Sequence, residues 1–165
     1  MLSKKMSEAL NAQINIELWS AYLYCSMSNW AQDAGYEGIS HWFRLQAHEE
    51  QTHAERIADY IRSRDTKVLF RAIDEVPNDW GSPIDLFLDA AKHEEKITDC
   101  INKLTKKAIE EEDFATQVFL QWFVNEQVEE EDSIRAILTD LRKIGACECG
   151  CGLHLVDREL LQRSK

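Results

Sequence analysis

Four stretches of this chain carry an apolar stripe at helical spacing, and a carboxylate interrupts each stripe near its middle. Residues three and four positions apart share one face of a helix, so each stripe predicts a helix that packs on a core. The acids and the polar residues that accompany them are Glu17, Glu50 with His53, Glu94, and Glu130 with Gln127. This pattern predicts an all-α bundle with several acids inside it.

The first two helices are expected to form a hairpin. The first runs from about Ser3 to Ala34 and stops at Gly35, while the second begins after Gly38 and fades near Arg64. Because only a few residues separate them, the two helices should be antiparallel neighbours.

The third and fourth helices form a second predicted hairpin. Ser82 is suited to cap the third helix and Pro83 to occupy its first position. The stripe of this helix contains Phe87, Ala91, Glu94, Thr98, Ile101 and Thr105. The fourth helix opens around residues 112–113, where acidic side chains are favourable, and Gly145 suits its C-terminal cap.

The connection between the two hairpins predicts the topology. Residues 65–81 can span about 50 Å when extended, which is enough to follow a helix of about 26 residues from end to end. The second and third helices should therefore be parallel and joined by one long crossover. Residues 153–163 predict a short fifth helix that must dock on the bundle, because so short a helix is unstable alone.

Length and charge limit the classes of protein that fit. The 165 residues predict one domain over 1–165, with the bundle at about 3–144, a Cys-rich loop at 145–152 and the short helix at 153–163. A net charge of −11 disfavours nucleic acid and anionic membranes as partners. No apolar run suits a membrane span or a signal peptide, so a cytoplasmic location is expected.

The acids of the four stripes should converge on one point. Each lies near the middle of its helix, and neighbouring helices in a bundle lie about 8 to 10 Å apart. A single acid in a stripe is usually a hydrogen-bonded core group, but burying several unpaired charges costs several kcal/mol each. No Lys or Arg occupies these stripes. The site therefore predicts a bound cation, and oxygen ligands with one imidazole suit iron or manganese.

The combination of these residues resembles the non-haem ferritins of prokaryotes over essentially the whole chain. The resemblance implies that Glu17, Glu50 and His53 hold one iron ion and that Glu50, Glu94 and Glu130 hold a second, with Glu50 bridging. Haem-containing relatives carry a second Glu-x-x-His motif on the fourth helix, where this chain has Gln127 to Glu130 and no histidine. The residues between Glu50 and His53 include no methionine either, so no haem is expected.

Two further groups of residues follow from the resemblance. Tyr24 matches a tyrosine beside the iron centre, with a core aromatic as the alternative interpretation. A third iron position on the inner surface is implied for Glu49, Glu126 and Glu129 together with Glu130, although such an acidic run is also typical of a solvated helix face.

The resemblance implies a ferroxidase and iron storage protein. It would oxidise Fe²⁺ with dioxygen or peroxide and store a ferric mineral in a hollow homo-oligomeric shell of 24 subunits. Two alternatives remain open from the residues: a di-iron or di-manganese redox enzyme that stores nothing, and a bundle that binds a structural metal.

Five cysteines do not predict a disulfide framework. Cys25 and Cys100 are expected to be small core residues. Cys147, Cys149 and Cys151 with His154 could bind a thiophilic metal such as Zn²⁺ or Cu⁺, but their spacing is not that of common structural zinc sites. The alternative is a reduced loop without a ligand.

Overall fold

The chain forms five helices. A computed structural model describes residues 1–145 and 151–163, and no strand occurs within those ranges. The helices are α1 (Lys4–Asp33), α2 (Glu37–Ser63), α3 (Pro83–Glu110), α4 (Phe114–Gly145) and α5 (Cys151–Leu160). The predicted all-α class, with four long helices and a short fifth, is confirmed. Among the described helices, none combines the length and apolarity that crossing a bilayer requires.

Contacts between side chains give the directions of the helices. The informative pairs are Ser28 with Ser40 and Glu17 with Glu50 between α1 and α2, and Ser3 with Glu111 and Ser20 with His93 between α1 and α3. For both α2 and α3, contacts with later residues of α1 are made by earlier residues of the other helix. Helices α2 and α3 are therefore each antiparallel to α1 and parallel to each other, as predicted.

The long connection between α2 and α3 follows α1. Asn11 Oδ1 accepts a hydrogen bond from the backbone N–H of Leu69 at 2.6 Å, and near the other end Trp30 Nε1 donates to Asp79 Oδ1 at 3.2 Å. Residue numbers thus rise together on α1 and on the connection. This confirms one long crossover that runs beside α1.

The start of α2 differs from the prediction because α5 packs against it. The helix begins at Glu37, so Gly38 lies inside the helix rather than before it. A Cβ atom at Gly38 would lie 1.6 Å from the backbone oxygen of Asp157, which leaves room only for glycine. The Asp157 carboxylate accepts a hydrogen bond from the backbone N–H of Ile39 at 2.9 Å. A residue of α5 therefore caps α2, whose own N-cap residue, Tyr36, makes no side-chain cap bond.

The apolar core is divided into two clusters. One cluster surrounds Phe43 and Phe87, and the other surrounds Ile57 and Phe123. The buried acids lie along the helices between these two clusters. The prediction that Cys25 and Cys100 are core residues is wrong, since Cys25 is exposed and Cys100 is partly buried.

Candidate metal centre

Helices α1 and α2 bring three of the predicted ligands together. Glu17, Glu50 and His53 each offer a ligand atom, and these atoms all lie within 4.8 Å of one another. All three side chains are buried. The spacing of three residues places Glu50 and His53 on one face of α2, opposite Glu17 of α1. Within the described parts of the chain, this is the one group of three that is so compact.

Two carboxylate oxygens in this group have no hydrogen-bond partner. They are Glu17 Oε2 and Glu50 Oε2, and the closest basic atom, His53 Nδ1, lies 3.4 Å from Glu50 Oε2. Burial raises the pKa of Glu17 well above its ordinary value, and the charge of Glu50 raises it further. Burial likewise raises the pKa of Glu50, with the charge of Glu94 as the next cause. A divalent cation would satisfy both free oxygens and favour both ionised forms.

Glu94 of α3 is held by two hydrogen bonds. The Tyr24 hydroxyl donates to Glu94 Oε1, and Gln127 Nε2 of α4 donates to Glu94 Oε2 at 2.9 Å. Burial raises the pKa of Tyr24 well above its ordinary value, and the charge of Glu94 adds to this shift. Tyr24 is therefore both a core aromatic and a hydroxyl donor to Glu94, and its role beside an iron centre stays a prediction.

Glu130 of α4 is held in a similar way. Gln46 Nε2 of α2 donates to Glu130 Oε2 at 2.7 Å. Burial and the charge of Glu94 together raise the pKa of Glu130 to about 7. Three ligand atoms are thus assembled, while both oxygens of Glu94 and one oxygen of Glu130 accept hydrogen bonds.

The residues predicted for a third position lie near one another but do not form a compact group. Glu49 and Glu126 are partly buried and Glu129 is exposed. Partial burial raises the pKa of Glu126, and the charges of Glu129 and Glu49 raise it further, so the three carboxylates influence one another. Their oxygens are not gathered within the 4.8 Å that joins Glu17, Glu50 and His53.

Sequence reasoning missed several residues around these ligands. Gln13 Nε2 donates to Glu17 Oε1 at 2.8 Å, one helical turn before that acid. Both Gln13 and Gln46 lie in the apolar stripes four residues before an acid, which is a signal that the sequence contains. Buried His93 lies 2.7 Å from Ser20 Oγ through its Nε2 atom, although the predicted stripe of α3 did not include it.

The predicted cysteine site lies mostly outside the described residues. Cys147 and Cys149 are not described. The Cys-rich loop is predicted to end at residue 152, but α5 begins at Cys151. Cys151 and His154 are exposed on α5. A thiophilic metal at this loop stays a prediction.

Comparison with known proteins gives matches over nearly the whole chain. The family model described as "Ferritin-like domain" matches residues 7–144. A Bacteroides fragilis protein named bacterial non-heme ferritin is 39% identical over 163 residues, which cover 99% of this chain and 100% of that protein. A protein of the same name from Escherichia coli O6:H1 is 38% identical, covering 97% of this chain and 96% of the other.

A solved structure matches the fold of this chain over nearly its whole length. The crystal structure of an open pore ferritin from Archaeoglobus fulgidus has a TM-score of 0.96 and 44% sequence identity to this chain. The match covers 99% of this chain and 100% of the other. The likeness therefore extends over the bundle, the crossover and the short fifth helix.

Proposed function

The chain belongs to the ferritin family, and from that membership we propose that it oxidises Fe²⁺ at the buried centre and stores the ferric product. Family membership supports iron storage as the broad function. The oxidation step is supported by the compact group of Glu17, Glu50 and His53, which has two free carboxylate oxygens. Iron is the substrate here and not a fixed cofactor, and no haem takes part.

Two ferrous ions bind within one subunit. Glu17, Glu50 and His53 hold the first, and Glu50, Glu94 and Glu130 hold the second, with Glu50 shared. Glu94 and Glu130 would bind the second ion through the carboxylate lone pairs that the hydrogen bonds from Tyr24, Gln127 and Gln46 leave free. Each ferrous ion loses one electron, and one dioxygen or peroxide molecule accepts the two electrons. The second position has no imidazole ligand, which favours weaker binding there, and iron moves on from it.

The product passes inward to a mineral. Glu49, Glu126 and Glu129, with Glu130, form a third iron position between the centre and the cavity. The shell is a homo-oligomer of 24 subunits, and the subunit's net charge of −11 raises the local concentration of Fe²⁺. Neither nucleic acid nor a membrane is a partner, and the protein acts in the cytoplasm.

The direct test is addition of Fe²⁺ in air, followed by sizing with simultaneous detection of protein and iron. We expect rapid oxidation and iron that elutes with an assembly of about 24 subunits. A redox enzyme that stores nothing would oxidise iron without retaining it. A bundle with a structural metal would retain a few ions without oxidising an excess.

Substitution of the centre tests the assignment of residues. Glu50→Ala and His53→Ala should each slow initial oxidation more than about tenfold, because even the outer partners of metal ligands contribute 10- to 100-fold. Glu55→Ala is the matched control, since Glu55 is exposed on the same helix. Oxidation at the parent rate in both centre variants would show that the ligands are wrongly assigned.

The third position has a separate test. Replacing Glu49 and Glu126 together should leave binding of the first two ions intact, because neither residue belongs to the compact group. The number of Fe²⁺ ions oxidised per dioxygen and the rate at which the centre regenerates should change. If the number of Fe²⁺ ions oxidised per dioxygen did not change, these acids would be interpreted as part of an ordinary solvated helix face.

A further inference from the structure

A basic residue beyond α5 contacts Glu49, one of the acids of the proposed third position. Arg163 follows the end of α5 by three residues. Its Nη2 atom donates to Glu49 Oε2 at 3.0 Å, and its Nη1 atom donates to Gln46 Oε1 at 2.5 Å. The guanidinium also lies 5.0 Å from the centre of the Trp42 ring. Three contacts with α2 thus fix the position of this positive charge.

The backbone around Arg163 is anchored as well. The carbonyl oxygen of Arg163 lies 3.0 Å from His41 Nε2. Upstream, Asp157 of α5 accepts a hydrogen bond from the backbone N–H of Ile39 at 2.9 Å. The segment from α5 to Arg163 therefore lies along the first half of α2, and its docking brings the guanidinium to Glu49.

Arg163 acts on two iron ligands of the proposed function at once. It pairs directly with Glu49, and through Gln46 it reaches Glu130, because the Gln46 amide accepts from Arg163 and donates to Glu130. The charge of Glu49 in turn raises the pKa of Glu130, Glu50 and Glu126. A guanidinium cannot lose its proton in a protein, so this counter-charge is permanent.

We propose that Arg163 is the resident cation of the third iron position and that a third ferrous ion binds only as Arg163 releases Glu49. This inference rests on the proposed function. The guanidinium neutralises Glu49 and, through Gln46, holds the Glu130 carboxylate in place while no iron is present. Iron and Arg163 compete for the same carboxylate, so binding of iron at this position and docking of the C-terminal segment oppose each other by a shared coupling free energy.

Metal titration without oxygen tests the competition. Anaerobic Fe²⁺ is titrated by calorimetry into the parent shell, Arg163→Ala, Arg163→Lys and Arg158→Ala. Arg163→Ala should bind the first ion as the parent does, because Arg163 has no hydrogen bond with Glu17, Glu50 or His53. It should bind the third ion about 5- to 20-fold more tightly, within the usual range of coupling between sites. Arg163→Lys should restore most of the parent affinity, because lysine keeps the charge.

Arg158→Ala is the matched control for net charge. Arg158 is exposed on α5, and the described residues provide it with no ion pair. The Arg158→Ala substitution removes one positive charge from the same C-terminal segment. Because Arg158 is not paired with Glu49, the variant should bind all three ions as the parent does. If Arg158→Ala tightened the third ion as much as Arg163→Ala, the effect would be general attraction and the inference would be wrong.

Hydrogen exchange gives a readout that does not depend on oxidation. In the parent, two Fe²⁺ ions per subunit should leave the exchange of residues 157–163 unchanged, and a third should accelerate it. The inference is overturned if exchange does not respond to the third ion, if Arg163→Ala binds the third ion equally or more weakly, or if the parent and Arg163→Ala both bind only two. Loss of the proposed function is distinguishable, since the first two ions would then fail to bind or to be oxidised.

Discussion

At the scale of single residues, the centre is defined by acids that lack a counter-ion. Glu17 and Glu50 are buried, and each has one oxygen without a partner. Burial of an unpaired ionised group costs several kcal/mol, while a whole domain is typically stable by about 5 to 15 kcal/mol. Without metal, these acids therefore reduce the stability of the fold, and a cation that binds them recovers it. The same residues are thus unfavourable for folding and favourable for binding a cation.

The metal-free protein should become less stable as the pH rises from about 4.5 to about 7. The pKa of Glu130 is raised from 4.5 to about 7, so in this window the folded state holds a proton that the unfolded state has lost. The unfolding free energy then falls with increasing pH. Glu130→Gln removes this titration and should reduce the loss by about 2 to 3 kcal/mol.

Urea unfolding of metal-free protein at about pH 5 and about pH 8 measures this difference. Glu55→Gln is the control, because Glu55 is exposed on α2. The prediction would be contradicted if the unfolding free energy of the parent were equal at both pH values. It would also be contradicted if the unfolding free energy decreased equally in the parent and in Glu130→Gln.

At the scale of elements, the helix ends are tied together by contacts distant in sequence. Asp157 of α5 caps α2 through Ile39. At the opposite end of α2, Arg64 forms an ion pair at 3.0 Å with Asp113, which precedes α4. Since the ends of a helix leave backbone groups without partners, these contacts decide where the helices start and how they are joined.

Asp113→Ala should destabilise the fold by about 2 to 4 kcal/mol, since it removes a helix cap and leaves Arg64 unpaired. Asp113 Oδ1 accepts from the backbone N–H of Thr116 at 3.1 Å, and its two oxygens accept from both terminal nitrogens of Arg64. Partial burial alone would raise the pKa of Asp113, but these bonds lower it overall. Asp113→Asn keeps the cap and should lose about half as much. Thermal unfolding of the two variants measures the difference, and equal losses would assign the whole effect to the ion pair.

Gly38→Ala should undock α5 while the four long helices stay folded. The added Cβ would lie 1.6 Å from the backbone oxygen of Asp157, so α5 must move away. Limited proteolysis should then cleave the C-terminal segment much faster, with little change in helix content of the bundle. Gly81→Ala is the control, because its Cβ would meet only the end of the Asp85 side chain, at 3.1 Å. Parent-like resistance in Gly38→Ala would show that α5 is not held by this close approach.

At the scale of the whole molecule, two apolar clusters stabilise the bundle and the acids lie between them. Helices of about 30 residues, such as α1 and α4, have room for both. Burial of the two apolar clusters offsets the free-energy cost of burying the acids. The bundle can therefore contain acids that do not themselves stabilise the fold. Net charge acts at the same scale, because −11 per chain creates a negative potential around the protein.

Salt should slow the initial uptake of Fe²⁺. Attraction between the acidic protein and a divalent cation weakens as the Debye length falls from about 30 Å at 0.01 M to about 3 Å at 1 M salt. Stopped-flow oxidation at subsaturating Fe²⁺ should therefore slow with rising NaCl concentration, while the rate at saturating Fe²⁺ changes little. An initial rate that is independent of salt would mean that steering by charge contributes nothing.

The sequence by itself determined the local features of this protein. Helical stripes, caps such as Ser82 and the length of residues 65–81 depend on neighbours in the chain, so they predicted the helices and the crossover. The stripes also placed Glu17, Glu50 and His53 on buried faces at one level. Their compact arrangement follows because straight helices preserve those positions.

Only the tertiary structure decided the contacts that join distant parts of the chain. No local pattern predicts that Arg163 lies on Glu49, that Asp157 caps α2, or that Gly38 lies inside a helix. These contacts depend on where α5 docks, and docking is determined by packing and charge over the whole surface rather than by sequence spacing. For the same physical reason, Cys25 and Cys100 could be placed on helices from the sequence but not on the correct side of the bundle.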